Sequence, residues 1–200
     1  MNELSNHDHS RFLTRTNHKV GRTNTLGPYA AEQNVNKAVF REAVVMQMTW
    51  VGAPTIYYGD EAGLCGFTDP DNRRTYPWGR EDKELIAFHK DIIRVRNENP
   101  ELRRGSIKYV DKAYNFIVYA RFNKMGKCVI IINNNEYPIT KEIHVWEAGI
   151  PKNGKMFTLF QSNENGYLMN GEEYEIKVGK INATFPKTSA TILKFKKEEN

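Results

Sequence analysis

Gly52-Ala53-Pro54-Thr55-Ile56-Tyr57-Tyr58-Gly59-Asp60-Glu61 is the stretch that decides the fold of this 200-residue chain. Thr55 to Tyr58 is a compact run of β-branched and aromatic residues and predicts a short buried strand. Pro54 opens it, and Gly59 ends it where the chain must turn. A long apolar helix precedes the strand. A loop rich in acids, glycine and arginine follows from Asp60 to Arg74, and then a second helix. Helix, buried strand, polar loop, helix is the order of a parallel α/β sheet or barrel, whose post-strand loops carry the chemistry. Beyond about residue 105 the pattern changes to that of a second domain.

Working outward, Asn36 is placed to cap a helix over about Lys37–Val51. Val39, Ala43, Met46 and Trp50 form one apolar line on it, and Val44, Val45 and Met48 extend the apolar surface to other sides. Such a helix packs against several neighbours. Asp82 caps a second helix, about Lys83–Asn97, with Leu85, Phe88, Ile92 and Val95 on one stripe; Pro100 stops it. Ser10 to Tyr29 is polar and broken by Gly21, Gly27 and Pro28, the pattern of a long surface loop. Residues 101–106 read as a linker. After it, strand-like runs recur: Ile107–Val110, Phe116–Phe122, Cys128–Ile132, Ile143–Trp146, Met156–Phe160, Tyr174–Val178 and Thr191–Phe195. Turn signals at Asn123–Gly126, Asn153-Gly154 and Asn170-Gly171 separate them, which predicts an antiparallel β-sandwich. The tail Lys194–Asn200 is expected to fray.

Composition narrows the function. The formal charge is +5, but residues 1–100 hold 13 Lys and Arg against 13 Asp and Glu, while residues 101–200 hold 16 against 11. The excess is scattered singly between strands rather than clustered as a nucleic acid would require, so nucleic acid is excluded as a partner. No apolar run approaches the ~20 residues of a membrane span. Met1–Ser5 lacks the basic and apolar regions of a signal peptide, which favours the cytoplasm. Cys65 and Cys128 have no short-range motif for a disulfide framework or zinc knuckle. His9, His18, His89 and His144 stand apart, with no metal-ligand spacing.

The decisive stretch, the loop Gly66-Phe67-Thr68-Asp69-Pro70-Asp71-Asn72-Arg73-Arg74-Thr75-Tyr76-Pro77-Trp78, and Asn6-His7-Asp8 together resemble the end of the catalytic domain in the α-amylase superfamily, glycoside hydrolase family 13. The neopullulanase, cyclomaltodextrinase and amylopullulanase group is the nearest match. The resemblance is strong over about residues 1–100. It implies the C-terminal end of a (β/α)8 TIM barrel over residues 1–103 and an antiparallel β-sandwich domain over 104–200.

Glycosidic cleavage needs carboxylates around a sugar that develops oxocarbenium character. The resemblance implies that Asp8 is the transition-state stabiliser and that His7 bonds the same sugar, with Asn6 in support. It implies that Asp69 and Arg73 bind sugar hydroxyls, for which charged planar groups are suited, while Arg74 faces elsewhere. The family's nucleophilic Asp and acid/base Glu precede the His-Asp motif, so the chain alone is expected to lack both and to be inactive. Asp60 and Glu61 are expected to shape the loop, and Arg11 to pair with the active-site acids or lie on the surface. Tyr57, Tyr58, Phe67, Tyr76 and Trp78 offer ring faces, with Trp78 expected as a packing anchor under the loop and one of Tyr57 and Tyr58 in the core.

The resemblance implies no cofactor for this chain; calcium, where relatives bind it, is held mostly by upstream residues. The implied parent is a retaining hydrolase of α-1,4-glucosidic bonds in starch, pullulan or cyclodextrins. A transglycosylase using the same residues and a non-catalytic carbohydrate-binding or assembly module are the alternatives. An incomplete barrel leaves an open strand edge, from which a homodimer or swapped oligomer is expected.

Overall fold

The computed structural model describes residues 1–196. A two-residue strand, β1 (Asn2–Glu3), is followed by two helical turns, α1 (Phe12–Arg15) and α2 (Thr23–Leu26), and by the long helix α3 (Lys37–Thr49). Strand β2 (Pro54–Thr55) then pairs in parallel with β1, Asn2 opposite Pro54 and Glu3 opposite Thr55. After β2 come helices α4 (Lys83–Glu98) and α5 (Pro100–Arg104). Strands β3 (Ser106–Ala113), β4 (Phe116–Phe122), β5 (Lys127–Asn133), β6 (Ile139–Ile143) and β7 (Gly154–Asn163) follow. The last are β8 (Gly166–Met169), β9 (Glu173–Ile176), β10 (Ile181–Phe185) and β11 (Ser189–Lys196).

The helix starts are fixed as the sequence predicts. The Asn36 side chain accepts from the N–H groups of Ala38 and Val39 at 2.9 and 3.2 Å, and Asp82 accepts from Leu85 at 3.0 Å. Pro100 opens α5, so the expected linker is a short helix. The C-terminal end of α3 is held by two buried cations. Arg96 donates to the carbonyls of Met48 at 2.6 Å and Leu102 at 2.8 Å, and the fully buried Arg121 of β4 donates to Thr49 O. Guanidinium groups suit this position because a helix exposes orphan carbonyls and partial negative charge at its end.

Strands β3-β4-β5-β11-β7-β8 form one antiparallel sheet in that order, with β9 also paired to β7. Strand alternation gives this sheet two apolar faces. Tyr119, Cys128, Ile130, Phe160 and Ile192 face α3 and α4 and join Phe40, Val44, Phe88 and Ile92 in one core. Phe116, Val118, Val129, Ile131 and Leu193 face the other way, onto a small antiparallel sheet of β6 and β10 that supplies Ile143, Ile181 and Phe185. Burying one such side chain contributes roughly 1.5–3 kcal/mol, whereas an exposed ion pair contributes ~1 kcal/mol at most. The shared core is therefore what binds the helices to the sheet.

The sandwich is thus backed by a helical third layer. Ile143–Trp146, expected as a strand, is instead the end of β6 and a 3-10 turn over Val145–Ala148. Strands β8 and β10 are additional to those expected. Lys194–Lys196 lie within β11 rather than fraying, and residues 197–200 lie outside the described residues. The fully buried line of α3 is Phe40, Val44 and Met48, while Val39, Ala43 and Met46 are half-buried. Thr55–Tyr58 is half-buried to exposed, because among the described residues β1 is the one strand beside it. Among the described residues no helix is long and apolar enough to cross a membrane.

Candidate functional site

Two loops converge at the end of the β1–β2 pair: one carries His7 and Asp8, the other Asp69 and Arg73. The first is shaped by Asn6. Its side-chain oxygen accepts from the N–H groups of Asp8 at 2.9 Å and His9 at 3.2 Å, and its amide donates to Glu3 at 2.9 Å. This Asx turn, a local habit of Asn, presents His7 and Asp8 outward. Their side chains are 65% and 64% exposed, with Nε2 3.5 Å from Oδ1.

The second loop is knitted to the first mainly through Asn72, which is fully buried. Its amide donates to the carbonyls of Asn6 at 3.1 Å and His9 at 2.9 Å. The Thr68 hydroxyl donates to Asp8 O at 2.9 Å. Gly66 donates its N–H to Thr14 Oγ1 at 2.9 Å and accepts from Arg11 N–H at 2.9 Å. A Cβ at Gly66 would lie 2.5 Å from Asp71 O, so only glycine permits this approach.

Arg11 is the post on which both loops hang. It is wholly buried. Its Nη1 donates to Asp60 Oδ1 at 2.9 Å and to Tyr58 O at 2.6 Å, and its Nε donates to Asn72 O at 2.9 Å. The guanidinium carbon sits 4.3 Å and 4.7 Å from the ring centres of Tyr57 and Tyr58. Burial raises the pKa of Asp60 even though the Ser5 hydroxyl and Arg11 work against it.

Asp69 Oδ1 lies 2.6 Å from Arg73 Nε, with both side chains half-exposed, so the two form an ion pair at the surface. Arg74 turns the other way, as expected, with both carboxylate oxygens of Asp71 at 2.9 Å and Glu32 at 2.6 Å. Burial acts to raise the Asp71 pKa, but Arg74 and the Phe67 N–H outweigh it and hold it below the usual range.

Several expectations are corrected. Trp78 is 79% exposed and packs on Tyr76, ring centres 4.5 Å apart, so it is not an anchor beneath the loop. Phe67 is the buried aromatic of the loop, and neither Tyr57 nor Tyr58 is fully buried. Asn72, Thr14 and Thr68 were not singled out by sequence reasoning; the sole local hint is a polar residue inside the turn Asp71-Asn72-Arg73. His89 is a core residue: its Nδ1 meets Leu85 O at 2.8 Å, and burial lowers its pKa. Among the described residues no three His, Cys, Asp or Glu side chains are grouped to hold a metal.

Residues 1–84 match the family model "Alpha amylase, catalytic domain". The chain is 32% identical over 200 residues to an amylopullulanase from Thermoanaerobacter thermohydrosulfuricus, covering 90% of this chain and 12% of that protein. It is 32% identical over 196 residues to neopullulanase 2 from Thermoactinomyces vulgaris, covering 96% of this chain and 28% of that protein. The crystal structure of an Anoxybacillus α-amylase superposes with a TM-score of 0.76 at 26% identity, covering 99% of this chain and 38% of that one. The chain thus spans well under half the length of each. Sequence match and superposition agree: residues 1–84 match the α-amylase family, glycoside hydrolase family 13, and the chain as a whole is similar to its members in sequence and fold.

Proposed function

We propose that this chain is the C-terminal part of a retaining α-glucan hydrolase that cleaves α-1,4-glucosidic bonds in starch, pullulan or cyclodextrins. Residues 1–103 would be the end of its (β/α)8 barrel, and residues 104–200 its β-sandwich domain. The observation that carries this reading is the joining of the His7–Asp8 turn to the Asp69–Arg73 loop through buried Asn72. Four groups suited to sugar hydroxyls are thereby gathered on one exposed edge, in a segment that matches the family's catalytic domain.

In this reading Asp8 stabilises positive character at the anomeric carbon, while His7 bonds the same sugar. The Asp69–Arg73 pair offers two acceptors and several donors in fixed geometry to hydroxyls further along the chain. Attack and leaving-group protonation need two further carboxyl groups. Asp60 is committed to Arg11, Asp69 to Arg73 and Asp71 to Arg74, which leaves Glu61 alone on these loops, one carboxyl group short of the two required. The chain by itself is therefore inactive and works as part of a larger catalytic unit. This chain is assigned no cofactor, with calcium left to the full-length enzyme. The β1–β2 pair has unpaired edges among the described residues, and self-association through them is expected.

The test has two arms. The 200-residue chain alone is assayed on pullulan, starch and β-cyclodextrin, and no turnover is expected. Residues 1–200 then replace the matching segment of a family relative. The chimera is expected to hydrolyse these glucans and to lose most activity on Asp8→Asn. Turnover by the isolated chain that disappears with Asp8→Asn would show a complete site here. A folded chimera whose hydrolysis ignores Asp8→Asn would refute the assignment.

A further inference from the structure

Behind the Asp71–Arg74 turn, on the side away from Arg73, lies a cleft of about 650 Å³ between residues 28–37 and 62–82. This volume falls within the roughly 300–1,000 Å³ of small-molecule sites. None of His7, Asp8, Asp69 and Arg73 lines it. Its apolar wall includes Leu13, Val35, Leu64 and Pro77, and at its mouth stands Tyr29, 78% exposed.

The charges around the cleft decide what it would accept. Arg74 is neutralised by Glu32 at 2.6 Å and Asp71 at 2.9 Å, and Lys37 by Asp82 at 2.5 Å. Arg80 also lines the cleft, exposed, with no ion-pair partner among the described residues. The balance is nearly neutral, so a phosphate or other anion finds little excess charge. What remains is an exposed aromatic ring beside planar charged groups with spare donor and acceptor positions. That combination matches a neutral polyhydroxylated ring, whose faces are apolar and whose rim is covered in hydroxyls.

We propose that this cleft is a second α-glucan-binding site, in which Tyr29 packs on a pyranose face and Glu32, Arg74 and Arg80 bond the rim hydroxyls. The choice of an α-glucan rests on the function proposed above; the placement of the site does not. Arg74 belongs to both the cleft and the turn that carries Arg73. A glucan seated here would brace that turn while a second stretch of polymer occupies the Asp69–Arg73 side.

Calorimetric titration of the 200-residue chain with maltoheptaose tests this. Saturable binding is expected, weakened at least about tenfold by Tyr29→Ala and by Arg80→Ala, and unchanged by Tyr114→Ala, an exposed ring that does not line the cleft. Tyr29 and Arg80 are exposed, so these variants should fold, and near-UV circular dichroism verifies it. No saturable binding at millimolar maltoheptaose overturns the proposal. So does binding that ignores Tyr29→Ala but fails with Arg73→Ala, which would place the glucan at the catalytic edge alone. Tyr29-dependent binding beside a chimera insensitive to Asp8→Asn would keep this site and discard the catalytic assignment.

Discussion

Arg11 Nη1 and Asp60 Oδ1 lie 2.9 Å apart with side chains 0% and 7% exposed, which makes a buried ion pair the joint between the His7–Asp8 segment and the turn after β2. Such a pair need not outperform apolar groups of equal size, but removing one member strands the other charge in the interior. Arg11→Ala is expected to cost about 3–5 kcal/mol in urea unfolding, a large share of the ~5–15 kcal/mol available to a typical domain. The double variant Arg11→Met/Asp60→Leu is expected to be less damaged than Arg11→Ala. Additive losses would show that the two residues do not act together.

Asn72 uses both amide hydrogens on the carbonyls of Asn6 and His9. Asn72→Ala deletes two donors and leaves those carbonyls short, at about 1–3 kcal/mol. Asn72→Asp should be worse, since a carboxylate places acceptors against acceptors. Hydrogen exchange at the amides of residues 6–9 checks the local effect. Protection should fall from wild type to Ala to Asp, and an Asp variant that matches wild type would remove Asn72 from its positioning role.

How much of this was legible in the chain follows from the range of each interaction. The caps Asn36 and Asp82 bond within three residues, so local sequence announces them. Strands β4 and β5 are apolar on both faces and were found within a residue or two. Strand β10 alternates cleanly as Ile181-Asn182-Ala183-Thr184-Phe185, with the odd positions buried, yet it is short, and its turn glycine, Gly179, stands alone between Val178 and Lys180 rather than in a turn dipeptide. The burial expected for Thr55–Tyr58 belongs to neighbouring strands, not to those four residues. The site was legible in part. His7, Asp8, Asp69 and Arg73 carry a motif, whereas Asn72 and Arg11 act across 47 to 66 positions that no local pattern encodes.

Cys65 and Cys128 are both buried and unpaired. Burial pushes the Cys65 thiol up to about 11; it also raises the Cys128 thiol, with Glu101 adding to the effect. The thiolate is the reactive form, so both should be inert in the folded chain. Treatment with a thiol-reactive dye at pH 8 is expected to label neither cysteine until denaturant is added, and then both. Rapid native labelling of Cys128 would mean that α5 and β5 separate readily.

Glu42 gives the chain a pH dependence opposite to that of most carboxylates. It lies in α3 where the helix meets β11, and burial pushes its pKa from 4.5 up to about 8, against the Ser189 backbone N–H that favours the charged form. Because the folded state holds the proton more tightly than the unfolded state, the stability linked to Glu42 is full below pH 4.5. It is lost as pH rises through about 8. The loss is on the order of 4 kcal/mol across that window. His89 acts the other way: burial lowers its pKa from 6.5, so its contribution is present above pH 6.5 and lost as pH falls through its folded value. Glu42→Gln keeps an acceptor for Ser189 and removes the titration. Urea unfolding from pH 5 to 9 should therefore show wild-type stability declining toward alkaline pH, and the Gln variant declining much less. Parallel profiles would mean that Glu42 is solvated and ordinary, and that its burial against β11 does not persist in solution.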